Sequence, residues 1–291
     1  MFDSEHHISR RGFLAGVGAS AGIIALNVDT AIVVAAYGAV NRSIAHTALA
    51  AAKVAGASYA DVRVQLRQDR SIATKERRVD EIEVSASLGF NVRVLAKGTW
   101  GFAASDLMTE QEAERVGKEA VAMAFASSPF KERAVELAPE PVHSGTWKTP
   151  VTTDPFAVPT DDIVSKLLQT NEHALAIDGI KYVSSSIHFL KETKLFVNSE
   201  GAEIEQEHHR LRPNLDVTAF GDNGDFRRRS ANLQAMGAGY EWVEEIDWLG
   251  RVDYAAEEAN ACGRPTKCKQ FFRQIWQCDQ VLTCVRPLDA A

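Results

Sequence analysis

Residues Gly89–Ser105 read GFNVRVLAKGTWGFAAS, and this stretch decides the fold class. Phe90, Val92 and Val94 alternate with Asn91 and Arg93, the period of a strand that turns one face to a core. Lys97-Gly98 supplies a two-residue turn, and Trp100 and Phe102 begin a strand that runs back. Working outward, Ile82, Val84 and Ala86 alternate with Glu81, Glu83 and Ser85. Farther upstream, Val62, Val64 and Leu66 alternate with Arg63, Gln65 and Arg67, so two more strands are predicted. Helices flank this group. Ser43 is placed to cap one with Ile44, Ala48, Leu49, Ala52 and Ala55 inward, and Gly56 stops it. Thr109 with Glu112 predicts a reciprocal capping box, opening a helix that buries Ala113, Val116, Ala120, Val121 and Ala124.

Six of the nine prolines fall between Pro129 and Pro159, where periodicity is lost. Proline fixes its own φ and pushes the preceding residue out of the helical region, so an extended connector is predicted. The order of elements then recurs. Thr160 and Asp161 begin a helix with Ile163, Val164, Leu167 and Leu168 inward. Strands are predicted at Ile180–Phe189, Lys194–Asn198, Ala202–Gln206 and Leu215–Ala219, with turns at Ser199-Glu200-Gly201 and Asp222-Asn223-Gly224. A helix from Glu241 to Ala259 carries Trp242, Ile246, Leu249, Val252 and Ala256 on one side. The whole reads as an α+β protein of antiparallel sheets with helices packed on one face. It has two modules, residues 43–128 and 160–259, joined by the Pro-rich connector 129–159.

Both ends read differently from the body. Ser9–Gly16 is SRRGFLAG, with paired Arg10 and Arg11 followed by a Gly/Ala-rich apolar run to Leu26. Residues 1–42 therefore resemble a twin-arginine export signal, which predicts an exported, periplasmic protein. The alternative is a cytoplasmic one. Asn27 and Asp29 interrupt the run too early for a stable membrane span. The net charge of −7 argues against a nucleic-acid partner, which needs a basic face.

All four cysteines, Cys262, Cys268, Cys278 and Cys284, lie in the tail 260–291. Five residues separate the members of each pair, more than the two to four of a zinc knuckle. Disulfides would suit an exported chain. A third reading is that the tail is aberrant. At Asn260 an acidic, alanine-rich helix gives way to a basic stretch rich in Cys and Gln, as a frame change would produce. Sequencing the coding region past codon 259 decides among these.

The chain has no P-loop, no GxGxxG opening a helix, no GxSxG elbow and no HExxH helix. His208-His209 is the densest histidine pair, but adjacent strand residues face opposite ways, so a solvated strand end is expected. His143, His173 and His188 are isolated and read as surface or structural histidines. Arg227-Arg228-Arg229 lies beside Asp222 and Asp225 and reads as a solvated turn flank. Trp100-Gly101-Phe102 reads as a core-facing aromatic pair around a glycine bend.

GASYADVRV (Gly56–Val64), the Gly89–Ser105 stretch and the helix after it resemble the N-terminal domain of the TldD/PmbA metalloprotease family. TWKTPVTTDPFAVP (Thr146–Pro159) and KLFVNSEGAEIEQ (Lys194–Gln206) continue the resemblance, which covers Ser43 to about Ala259. The Trp-Gly-Phe hairpin looks more like the TldD branch. The resemblance implies a zinc-dependent peptidase acting on flexible peptides, paired with a TldE/PmbA-like partner subunit or forming a homo-oligomer. Its metal would be held by an HExxxH helix in a C-terminal half, with the glutamate as base for a metal-bound water. No His-Glu-x-x-x-His occurs here, so no catalytic, cofactor-binding or metal residue is named and no zinc is expected on this chain. Two readings follow: the N-terminal half of such a peptidase, truncated and inactive alone, or a non-catalytic peptide- or partner-binding module of the same family.

Overall fold

The computed structural model describes residues 42–221 and 225–261. Arg10 and Arg11, the turn at residues 222–224 and the four cysteines lie outside the described residues. Helix α1 spans residues 42–54. The strands β1 (Tyr59–Lys75), β2 (Arg78–Ala96) and β3 (Thr99–Ser105) follow, then α2 (Glu110–Ser127). After the connector strand β4 (Ser144–Lys148) come α3 (Thr160–Ala176), β5 (Ile180–Asn198), β6 (Glu203–Phe220) and β7 (Phe226–Ser230). The described chain closes with α4 (Glu241–Glu245) and α5 (Trp248–Ala261).

The strands form one sheet in the order β3-β2-β1-β5-β6-β4, with β7 also on β6. β2–β3 and β6–β7 are antiparallel. Ser199 N–H donates to Ala60 O and Glu76 N–H to Val183 O, so β1 and β5 also run in opposite directions. The exception is β4, which pairs with β6 in parallel from Ser144↔Glu203 to Lys148↔Glu207. The fold class is α+β.

Two compact units divide the chain, and each gathers segments from both sides of the connector. Among the described residues, one holds 42–68, Val84–Lys148 and Lys191–His208; the other holds Asp69–Glu83, Thr149–Leu190 and, from His209, 209–221 and 225–261. In the first, Ala60, Val62 and Val64 of β1, Phe90, Val92 and Val94 of β2, and Leu195 and Val197 of β5 lie buried under Ile44 and Ala48 of α1 and Val116 and Ala120 of α2. In the second, Ile72, Ile187, Phe189, Leu215 and Val217 are buried with Ile163 and Leu167 of α3 and Val252 and Ala256 of α5. Each cluster removes a continuous apolar face from water, the main driving force for folding.

Local chemistry explains the element ends. Ala57 N–H reaches back to Ala52 O at 3.1 Å, and Gly56, at φ +106°, makes the left-handed stop that a side chain would strain. Lys97 and Gly98 both have positive φ (50° and 73°), the twisted two-residue turn that Lys97-Gly98 predicts. The Thr109 box is only half formed. Thr109 Oγ1 accepts from Glu112 N–H at 3.2 Å, but the Glu112 carboxylate turns to Arg115, which with Ser105 holds its pKa down at about 2.

Four sequence expectations change. The runs at 82–86 and 90–94 are one 19-residue strand, as are the two expected within Ile180–Asn198. The runs around Ile204 and Val217 likewise join as β6, although Pro213 stands between them. Leu211 pairs with Met236 on the outer side of β6, and Leu215 O accepts from Ala231 on that same side. By strand alternation the missing Pro213 N–H points into the gap between those two contacts, where no ladder bond is lost. The Glu241–Ala259 helix is broken. Asp247 Oδ1 accepts from Gly250 N–H at 3.0 Å and starts a new helix, so Trp248 is buried while Leu249 is 48% exposed.

Candidate functional site

The first unit carries, on the face of its strands turned away from the helices, a group of polar and aromatic side chains. Alternation places them there: Tyr59, Asp61 and Arg63 lie between the core residues of β1, Arg93 between those of β2, and Phe196 between Leu195 and Val197 of β5. Asp61 is fully buried (0% exposed) although it lies on the face turned away from the described helices. Arg93 donates from Nε to Asp61 Oδ2 at 2.8 Å, with Nη2 2.7 Å from the same oxygen. Arg63 Nη1 lies 2.8 Å from Oδ1, an ion pair whose angles fall short of a hydrogen bond. A buried carboxylate requires such partners, because desolvating it unpaired costs several kcal/mol by general estimate, about the size of a domain's net stability.

Each guanidinium also lies over a ring. Arg93 is 4.7 Å from the Trp100 centroid and Arg63 is 5.2 Å from that of Phe196. Tyr59 meets Trp100 edge-on at 6.2 Å and 88°. Burial raises the Tyr59 phenol above its ordinary pKa, and the Asp61 charge pushes the same way. Beside this group, Gln65 Nε2 donates to Glu192 Oε1 at 2.8 Å, and Lys194 lies 3.5 Å from the same carboxylate. A guanidinium stays protonated at any biological pH, so this arrangement holds and orients; it does not move protons.

The two stretches GASYADVRV and GFNVRVLAKGTWGFAAS thus meet at one point, Asp61 against Arg93. The expected core-facing pair at Trp100-Gly101-Phe102 is not one. Trp100 lies against Arg93, Phe102 is 51% exposed, and only Gly101 turns to the helices. There a Cβ would come within 2.0 Å of Ala120 O, so the backbone of β3 approaches α2 directly. The sequence clue to the Asp61 group was an aspartate inside a strand, where that residue is depleted, with an arginine two positions on and so on the same face.

The other candidates disperse. His208 and His209 are inside β6, not at a solvated end; His208 stacks on Trp147 at 4.7 Å and His209 is buried. His173 Nε2 is 2.7 Å from Asp253 Oδ1, and His188 Nε2 is 3.1 Å from Asp69 Oδ1, so each has an acidic partner. The His143 carbonyl accepts from Glu203 N–H. Arg228 pairs with Asp216 at 2.8 Å and Arg227 with Asp225 at 3.7 Å. Buried Arg70 donates to Pro155 O, Val158 O and Thr160 Oγ1, tying the end of the connector to the start of α3. Among the described residues no three His, Cys, Asp or Glu side chains converge to hold a metal, so these residues do not fit a zinc site. Among them, too, no helix is long and apolar enough to cross a membrane.

Residues 60–124 match the PmbA/TldA metallopeptidase domain 1, and residues 153–262 match the PmbA/TldA metallopeptidase central domain. A metalloprotease of Methanocaldococcus jannaschii is 26% identical over 211 residues, covering 72% of this chain and 45% of the relative. A metalloprotease of Methanothermobacter thermautotrophicus is 28% identical over 200 residues, covering 66% of this chain and 41% of the relative. The chain therefore spans less than half the length of these curated relatives. Among solved structures, TldE from Thermococcus kodakarensis superposes with a TM-score of 0.57 at 16% identity, over 75% of this chain and 47% of that one. A Bacteroides thetaiotaomicron protein solved as a candidate modulator of DNA gyrase gives 0.63 at 18% identity, over 77% of this chain and 50% of that one. At such identities the likeness is one of fold.

Proposed function

The chain belongs to the PmbA/TldD metallopeptidase family, and from that premise we propose that it supplies the first and central domains of a zinc-dependent peptidase acting on flexible peptides. The observation that carries this reading is the match to both successive domains in order, joined by two relatives named metalloprotease. In this reading the 291 residues cut nothing by themselves, because they contain no His-Glu-x-x-x-His. Purified chain, given zinc and an unstructured fluorogenic peptide, is expected to retain no stoichiometric metal and to show no chelator-sensitive cleavage. Stoichiometric zinc with cleavage that a chelator abolishes would overturn the proposal.

A second reading is a non-catalytic module that binds a peptide or a TldE-like subunit through a sheet edge. One observation favours it. β3 covers β2 only over Phe90–Ala96, and residues 78–83 are exposed throughout, including Val79 and Ile82 at 41% and 48%. An uncovered strand edge is a template for another chain. We also propose export through Arg10 and Arg11. A reporter active only outside the cytoplasm, fused to residues 1–42, is expected to be active and to fall silent when both arginines become lysine. Activity that survives the exchange would sink the export reading.

A further inference from the structure

We infer that Arg63 and Arg93 form a clamp for a carboxylate of an extended peptide, either its C-terminus or an Asp or Glu side chain. The inference rests on the peptide-acting reading above and names the chemistry that the first unit would recognise. Three observations carry it. First, two cations share one anion, so the group keeps a local charge of +1 that a single carboxylate neutralises. Second, both arginines remain within reach of solvent, at 38% and 41% side-chain exposure, while Asp61 beneath them has none. Third, neither guanidinium is fully engaged. Among the described residues Arg63 makes an ion pair with Asp61 and no hydrogen bond, and Arg93 Nη1 meets no acceptor.

Asp61 and the two rings hold these forks in place before any ligand arrives, so little side-chain freedom remains to be lost on binding. A guanidinium with free N–H groups matches a carboxylate in shape and charge. The rings of Trp100 and Phe196 offer apolar walls on which the stem of a peptide side chain can rest. Polyanions are disfavoured. The chain carries a net charge of −7, and Glu192 lies beside the group at Gln65 and Lys194. A lone carboxylate on an otherwise neutral peptide avoids that repulsion.

The test uses the full chain and four forms of one labelled, unstructured peptide, read by fluorescence anisotropy. One form has a free C-terminus, one is amidated, one is amidated with an internal Glu, and one is amidated with Gln in its place. Charge-assisted hydrogen bonds of this kind lead to an expected preference of about tenfold for a carboxylate-bearing form over its neutral counterpart. The form that gains tells C-terminal from side-chain recognition. Arg63→Gln is expected to abolish the preference, bringing the carboxylate-bearing form to the affinity of its neutral counterpart. That variant keeps the Arg93–Asp61 hydrogen bond, and Arg63→Lys, which restores charge without the fork, should recover part of the effect. Equal affinity for charged and neutral forms, or a preference that survives Arg63→Gln, would overturn the clamp alone. Failure of the chain to bind any of the four would overturn the peptide reading and the clamp with it.

Discussion

Replacing Asn171 by alanine is expected to destabilise the second unit by about 3–5 kcal/mol, one of the largest single-residue effects in the chain. Asn171 projects from α3 and is fully buried. Its Nδ2 donates to Thr74 Oγ1 and to Glu76 O, both at 3.0 Å, and its Oδ1 accepts from Ser185 Oγ at 2.8 Å. Thr74 and Ser185 hydroxyls are 2.8 Å apart. With the Ser185 proton going to Asn171, the Thr74 proton is shared between the Ser185 hydroxyl at 2.8 Å and the Ser185 carbonyl at 3.4 Å. The network ties α3 to β1, to β5 and to the turn after β1. Alanine removes three hydrogen bonds at once. The Ser185 hydroxyl loses its Asn171 acceptor and the Glu76 carbonyl loses a donor, at about 1–3 kcal/mol each, and a small cavity adds to that. Thr74→Val leaves Asn171 bonded to Glu76 O and Ser185, so about 1–2 kcal/mol is expected there. Denaturant unfolding, with hydrogen exchange at the α3 amides, checks both. A loss below about 1 kcal/mol for Asn171→Ala would show that the network contributes little.

Asn171 also marks what the sequence could and could not reveal. Helix α3 was legible because Ile163 and Leu167 recur at helical spacing. The apolar pattern is silent on why a polar residue lies on the buried side, since its partners are 97 and 14 residues away. The same limit hid Asp61. Period-two alternation assigns it to the polar side of β1, where an aspartate is an unusual strand residue but its burial is not legible. Only the arrival of Arg93 from the next strand makes it a buried carboxylate. Long strands were divided for a related reason. Ile82 to Ala96 keeps one parity, but its first half is exposed, so the turn in amphipathic character looked like a break. Across the Glu241–Ala259 stretch the opposite error occurs. Helical periodicity passes over the break at Asp247, whose capping bond to Gly250 competes with continuation. Packing at Gly101 was half legible: a glycine in a strand signals close approach, but only the fold names what approaches.

That approach is tight enough to make Gly101→Ala the second large effect. A Cβ at Gly101 would lie 2.0 Å from Ala120 O, 2.7 Å from Ala124 N and 2.9 Å from Ala124 Cβ. The first two of these atoms belong to the backbone of α2, so no side-chain rotation relieves the clash; the helix itself must lift. Lifting it would part Thr99 Oγ1 from Ala124 O, now 2.6 Å away, and open the packing of Ala120 and Ala124 on the strands. Overpacking commonly costs about 1–3 kcal/mol, and the loss of a buried hydrogen bond adds about 1, so about 3 kcal/mol is expected. Gly117→Ala tests the neighbouring layer, where a Cβ would come within 2.5 Å of Ala48 O on α1. It should cost about 1–3 kcal/mol. Gly145→Ala is the control: nothing lies within 4 Å of the place its methyl group would take, so stability should stay within about 0.5 kcal/mol. If denaturant unfolding ranked Gly101→Ala with Gly145→Ala, the contact of β3 with α2 would be looser than the geometry requires. The assignment of Trp100 and Phe102 to the opposite face would then lose its main support, because strand alternation ties their direction to that of Gly101.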